Sequence, residues 1–326
     1  MRAVIPVAGV GTRLRPHTYS LPKVLLNVAG KPILAHILDS LLEQNLSKAT
    51  IITGYMGALV EEYVTKRYTD IEFDFVEQSE QHGLGHAIWV GRDTYKSDEL
   101  MIILGDTIFD VDLSIAFNSK ANSIGVKSVE DPRRFGVVVK DNNAKITTLI
   151  EKPEAFVSNL AIVGIYHIRN TKLLVDSLNK LIDEDIKTRG EYQLTDALQL
   201  MIESGAEFNT FPVDGWYDCG KPETLLSTNR FLLDQKPHHY SLNSTIIIPP
   251  VFISDKATVE SSVIGPYTSI ADGAIVKDSI IKNSIISFGA KVSSSLLEES
   301  IIGNDADVKG HFHKLNVGDS SQISES

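Results

Sequence analysis

After Thr245 the apolar residues fall at a spacing that few folds can use. Ile253, Val259, Ile264, Ile270, Val276, Ile281, Ile286, Val292, Leu297, Ile302 and Val308 follow one another at steps of five or six residues, with small and polar residues between them. Strands repeat every second residue and helices about every 3.6, so neither accounts for the pattern. A step near six is the mark of a hexapeptide β-helix, whose short strands bury their apolar faces only by stacking coil on coil. At about three hexads per coil, residues 245–319 would make roughly three to four turns, expected to be left-handed. The competing fold is a conventional β-sandwich of short strands.

Upstream the texture differs. Ala3 to Val7 is a short apolar run that ends in a glycine loop, and Pro32 opens a helix marked by Ile33, Leu34, Ile37, Leu38, Leu41 and Leu42. A strand over 49–53, a helix over 59–68, a strand over 72–76, a helix starting near Gly85 and a strand over 100–104 continue the alternation. That rhythm predicts an α/β domain built on a mostly parallel, Rossmann-like sheet covered on both faces. Ligands of such sheets sit beyond the carboxyl ends of the strands, so the loops after Val7 and Leu104 come first. From 124 to 215 the pattern loosens into strands with inserted turns and two helices. One helix covers 171–182. The other follows Gly190-Glu191-Tyr192-Gln193-Leu194-Thr195-Asp196 and closes at Gly205. A last helix over 222–233 precedes the polar stretch Lys236-Pro237-His238-His239. The expected organisation is an α/β domain over 1–236, a linker over 237–244, a β-helix over 245–319 and a tail over 320–326. At about 150 residues per domain, a chain of 326 agrees with two.

The composition closes off several classes of function. With 31 basic against 42 acidic residues the net charge is −11, the wrong sign for a nucleic-acid footprint. An anionic substrate must then be held by a few local cations. A single cysteine excludes a disulfide framework and a Cys-rich zinc site, and suits a reducing compartment. No apolar run approaches the roughly 18 residues of a membrane span, and the N-terminus reads as a strand rather than a signal peptide. A cytoplasmic location without membrane attachment is expected.

The strongest local signal is Gly9-Val10-Gly11-Thr12-Arg13-Leu14-Arg15-Pro16, followed by Pro22-Lys23. Glycines let backbone N–H groups close around an anion. Arg13 adds a fork matched to phosphate oxygens, and Lys23 a movable point charge. The dinucleotide fingerprint fails, because Leu14 stands where its third glycine is needed. The P-loop fails because Gly30-Lys31 is followed by Pro32. Asp106, in Leu104-Gly105-Asp106, is placed to hold a divalent cation, with Asp218 of Trp216-Tyr217-Asp218-Cys219-Gly220 as the candidate second carboxylate. Spacing does not show that two acids so far apart converge.

These segments, with Phe135-Gly136-Val137 and Glu151-Lys152-Pro153, occur in the order found in sugar-1-phosphate nucleotidylyltransferases, which the chain resembles over residues 1 to about 235. Ser158-Asn159-Leu160-Ala161-Ile162-Val163-Gly164 and His82-Gly83-Leu84-Gly85-His86-Ala87 look like the glucose-1-phosphate uridylyltransferases. The tail, including Leu315-Asn316-Val317-Gly318-Asp319, resembles the long form of glucose-1-phosphate thymidylyltransferase. The resemblance implies a nucleotidyltransferase domain followed by a β-helix. Its implied activity is Mg²⁺-dependent transfer of a nucleoside monophosphate from UTP or dTTP to glucose 1-phosphate.

Carried over residue by residue, it implies that Ala8, Gly9, Gly11 and Thr12 meet the nucleotide, and that Gln78 and Gly83 read the pyrimidine edge. Arg13 and Lys23 would neutralise phosphates as catalytic cations, and Asp106 and Asp218 would hold Mg²⁺. Gly136, Glu151, Lys152 and Ile162 would line the sugar-phosphate pocket. Thr107 departs from the asparagine common after Gly-Asp in thymidylyltransferases. Cys219 reads as a packed thiol, and Lys66-Arg67 as a solvated helix end. His311 and His313 read as exposed strand residues. His82 and His86 fit either a nucleotide contact or ordinary helix-start polarity. A mannose-1-phosphate guanylyltransferase and a non-catalytic NDP-sugar-binding regulatory subunit are the alternatives. An acyltransferase role for the tail lacks both length and a catalytic histidine. A homo-oligomer is expected, because so short a β-helix leaves its end coils open.

Overall fold

The computed structural model describes residues 1–95, 98–142, 144–235, 240, 242 and 244–310. Residue 236 and the residues 237–239, 241 and 243 of the expected linker lie outside these, as do His311, His313, the 315–319 motif and the 320–326 tail. The chain divides into two compact units. One comprises Met1–Leu26 and Lys31–Thr228, the other Asn27–Gly30 and the chain from Asn229 onward.

In the first unit the strands Glu72–Glu77, Lys48–Thr53, Arg2–Pro6 and Leu100–Ile103 lie side by side in parallel. Leu160–Ile168 then joins Leu100–Ile103 in the opposite direction, and Gly136–Lys140 and Ile146–Glu151 form an antiparallel pair beyond it. Asn122–Ser128 also pairs with Leu160–Ile168 and carries Phe208–Pro212 in parallel. The loosened pattern after residue 124 thus reflects antiparallel strands joined by short turns, which need no helical crossover. Alternate residues of the first strand serve opposite faces. Ala3 and Ile5 pack with Leu34, Leu38 and Val64, while Val4 packs with Ile88, Leu174 and Leu198. The helices Ile33–Glu43, Gly57–Arg67, Leu84–Val90, Thr171–Asp183 and Leu194–Glu203 supply those layers. The last closes where expected, the Ala206 N–H returning to the Met201 carbonyl at 2.9 Å.

A separate two-stranded ribbon matters most for chemistry. Thr107–Asp110 pairs antiparallel with Gly215–Asp218, in a register that sets Thr107 opposite Asp218. The Cys219 N–H adds a bond to the Asp106 carbonyl at 3.1 Å.

In the second unit three parallel four-stranded sheets stack four coils, so the sandwich alternative is out. All eleven apolar positions of the repeat fall in one core, buried as far as Val292 and partly buried at Leu297, Ile302 and Val308. The small polar residues between them have a task. Ser262, Ser279 and Ser295 stack at one corner, each hydroxyl donating to a carbonyl two residues back. The Ser262 and Ser279 hydroxyls each also accept from the backbone N–H one coil on, at 3.1 Å. A buried corner is thereby satisfied internally. Within the same unit the buried Asn229 accepts from the Ala29 N–H and the Ser269 hydroxyl, both at 2.8 Å, and donates to the Tyr267 carbonyl at 3.1 Å.

Candidate active site

The glycine loop follows the strand Arg2–Pro6, at the carboxyl edge of the parallel half. Its backbone is tied down from several directions. The Leu14 N–H and the Thr18 hydroxyl both donate to the Gly11 carbonyl at 2.9 Å, and Gln81 donates to the Ala8 carbonyl at 2.7 Å. Thr12 and Arg13 are exposed on the short turn Thr12–Leu14, while Lys23 is buried.

Lys23 brings the two acids together. Its Nζ lies 2.8 Å from Asp106 Oδ2 and 3.9 Å from Asp218 Oδ1. Both carboxylates are about half exposed, whereas the Lys23 side chain is 7% exposed. The Thr107 hydroxyl donates to Asp106 Oδ1 at 3.2 Å and steadies the second oxygen. Arg13 belongs to the same cluster, since a Cβ placed on Gly220 would stand 2.8 Å both from its guanidinium and from Asp218 Oδ1. Spacing left the convergence of Asp106 and Asp218 open, and the Thr107–Asp110 ribbon creates it.

Beside these acids lies a cavity of about 270 Å³, lined by Asp106 and Asp218 together with Gly136, Glu151 and Ile162. Glu151 Oε2 accepts from the Thr195 hydroxyl at 2.8 Å, and Oε1 lies 3.3 Å from the Nζ of Lys152, which does not itself line the cavity. Gly136 lies close against the cavity's side chains. A Cβ there would come within 2.9 Å of Glu151 Oε2 and 3.1 Å of Ile162 Cδ1. Arg134, Gln193, Thr195 and Trp216 also line the cavity, although the sequence alone does not assign them to it. Arg134 adjoins the quoted Phe135-Gly136 motif, and Thr195 sits in the motif that opens Leu194–Glu203, so neighbouring signals are present.

Gln78 and Gly83 meet on the other side of the loop. The Gln78 carboxamide donates to the Gly83 carbonyl at 3.2 Å, and its own N–H donates to the Thr53 carbonyl at 2.8 Å. Ala8 is buried beside Gly54. Cys219 is fully buried, and burial pushes its thiol up to about 12, so it is inert packing. Lys66 is solvated as expected, paired with Glu62 at 3.6 Å. Among the described residues no helix is long and apolar enough to cross a membrane.

Comparison with known proteins follows the same outline. The sequence profile described as nucleotidyl transferase matches residues 2–235.

The chain belongs to the nucleotidyl transferase family.

Its relatives there include enzymes named for glucose 1-phosphate. The UTP–glucose-1-phosphate uridylyltransferase AglF of Haloferax volcanii is 33% identical over 68% of this chain and 93% of its own length. The bifunctional protein GlmU of Methanocaldococcus jannaschii is 35% identical over 98% of this chain and 77% of its own. A crystal structure of a UDP-glucose pyrophosphorylase complexed with UDP-glucose superposes with a TM-score of 0.63, covering 72% of this chain and 99% of that one. Its 23% identity speaks for the shared fold alone. The nucleotidyltransferase fold and the sugar-1-phosphate branch of the family are therefore established for this chain.

Proposed function

We propose that the protein transfers a nucleoside monophosphate from UTP or dTTP to glucose 1-phosphate, releasing pyrophosphate. One observation carries the reading. The two acids that converge on Lys23 line the same cavity as Gly136, Glu151 and Ile162, so a metal-and-phosphate centre adjoins a sugar-sized pocket.

In the reaction a phosphate oxygen of the sugar phosphate attacks the α-phosphorus, a new P–O bond forms, and the bond to the β-phosphate oxygen breaks. The attacking group is already an anion, so no strong base is needed, and the work is positioning and charge neutralisation. Backbone at Ala8, Gly9, Gly11 and Thr12 holds the nucleotide, and Arg13 and Lys23 balance the triphosphate. Gln78 and Gly83 meet the base edge. Glu151, held by Thr195, accepts from sugar hydroxyls, and Lys152 meets the incoming phosphate. The donor set at Asp106 and Asp218 fits Mg²⁺. It offers hard oxygens gathered around one point that already attracts a cation, and Mg²⁺ characteristically takes one or two carboxylates plus phosphate and water. When bound, the ion supplies charge neutralisation on the α- and β-phosphates.

The deciding experiment is a matrix of ATP, GTP, CTP, UTP and dTTP against glucose, mannose and N-acetylglucosamine 1-phosphates, followed by pyrophosphate release. Turnover with a pyrimidine triphosphate and glucose 1-phosphate is expected. Silence in every cell would overturn the reading, and a GTP–mannose optimum would move it to the guanylyltransferases. Lys152→Ala should raise KM for the sugar phosphate about tenfold or more while KM for the nucleotide changes little. Equal rises in both would remove Lys152 from the sugar-phosphate side.

We also propose that the chain is a homo-oligomer assembled through its β-helix. Ile246, Val263, Ile280 and Leu296 stand in register down one sheet, and Ile246, Ile280 and Leu296 are exposed by 63%, 49% and 78%. A regular apolar row of that kind supports the reading, because burying it against a second copy would remove it from water. Light scattering of the intact chain should give a multiple of the chain mass, and Ile280→Glu with Leu296→Glu should reduce it to one chain. A monomer at micromolar concentration in the unaltered protein would defeat the proposal.

A further inference from the structure

His86 faces the residue proposed to read the base. Gln78 is 5% exposed, and its side-chain Nε2 lies 3.0 Å from His86 Nδ1 as well as 3.2 Å from the Gly83 carbonyl. A carboxamide nitrogen has two hydrogens to give and cannot accept, so His86 Nδ1 must be the acceptor and its proton must sit on Nε2. The ring is held in that place. Trp89 and Tyr192 stack on it at 5.7 and 6.3 Å, and the edge of His82 meets it at 5.1 Å. Burial, reinforced by His82 and opposed by Glu80, keeps the imidazole below its ordinary pKa and therefore neutral at pH 7. Both hydrogens of the Gln78 amide are thus committed inward, and among the described residues no donor pairs with its Oε1.

We infer that His86 is a positioning residue that locks the Gln78 amide with its carbonyl oxygen free, so that the base pocket selects pyrimidines carrying a hydrogen on N3. The inference rests on Gln78 and Gly83 being the base-reading edge. Uracil and thymine present an N3–H donor, which a free carbonyl oxygen accepts. Cytosine presents a bare N3, which that oxygen repels. Turned over, the amide would offer its NH₂ to cytosine, but its oxygen would then oppose the Gly83 carbonyl, and His86 would have to move its proton from Nε2 to Nδ1 to meet it. Gly83 supplies the larger part of that penalty, and His86 adds the cost of changing tautomer.

The test compares kcat/KM for UTP and CTP with glucose 1-phosphate in the intact protein and in His86→Phe, His86→Asn and Gln78→Ala. Phenylalanine keeps the stacked ring and loses the acceptor, so the UTP-to-CTP ratio should fall about tenfold, the scale of one hydrogen bond. The change should appear in the nucleotide KM and leave the sugar-phosphate KM alone. Asparagine puts Oδ1 near the position of Nδ1 and should restore most of the ratio. A ratio unchanged in His86→Phe, while Gln78→Ala weakens UTP binding, would overturn the positioning role and leave the base pocket standing. Equal losses in His86→Phe and His86→Asn would show that an acceptor at the Nδ1 position does not carry the effect and overturn it too. A UTP KM untouched by Gln78→Ala would remove the base-edge reading itself, and this inference with it.

Discussion

Asp218→Asn should lower kcat by about 10²–10³-fold at saturating substrates, with little change in folding stability. The side chain is about half exposed and lies 3.9 Å from Lys23, so its loss leaves no close ion pair broken. Asp106→Asn should cost a similar factor in turnover and, in addition, about 1 kcal/mol of stability. Its oxygen meets the buried Lys23 ammonium at 2.8 Å, but half of the carboxylate is in water, which keeps the contribution small. Titrating Mg²⁺ against kcat, with thermal unfolding measured alongside, separates the two variants. Wild-type kcat in either one at high Mg²⁺ would strike that residue from the metal site.

The second large effect lies in the β-helix. Ile281 is fully buried and sits in register between Ile264 on the coil before and Leu297 on the coil after. Ile281→Ala should destabilise this unit by about 2–5 kcal/mol, since it leaves a cavity between two stacked neighbours. Leu297→Ala, at a partly buried position, should cost distinctly less. Denaturant unfolding monitored on the β-helix reads both. Equal losses at the two positions would mean that the stacking column does not carry the stability assigned to it.

The contrast between the two units explains what can be read before any coordinates. The β-helix is a one-dimensional object, so a periodic row such as Ile264, Ile270 and Val276 is itself the structure, and every predicted core position lies in the core. The parallel half of the sheet is legible for a related reason, because each strand and its crossover helix are contiguous in sequence. What cannot be read depends on pairing across distance. Nothing in Thr107–Asp110 or Gly215–Asp218 reveals that they form a ribbon, yet that ribbon makes Asp106 and Asp218 neighbours. Resemblance to a family names both acids, whereas the residues alone leave the pair open. Thr195 and Arg134 stay out of the candidate site because the motifs beside or around them do not show which side chains of those segments reach the cavity. His86 is visible as a residue, but its meaning depends on one hydrogen bond to Gln78 that no spacing encodes.

Asn27–Gly30 belongs to the second unit although it is translated amid the first. Ala29 and Asn229, which close that unit with a 2.8 Å bond, are 200 residues apart. At about 5–20 residues per second on the ribosome, the early segment waits roughly 10–40 s for its partner to be made. For that interval the Ala29 N–H lacks the Asn229 side chain that accepts from it in the finished fold. The β-helix unit is therefore finished last, and any pause in synthesis before Asn229 leaves it unclosed.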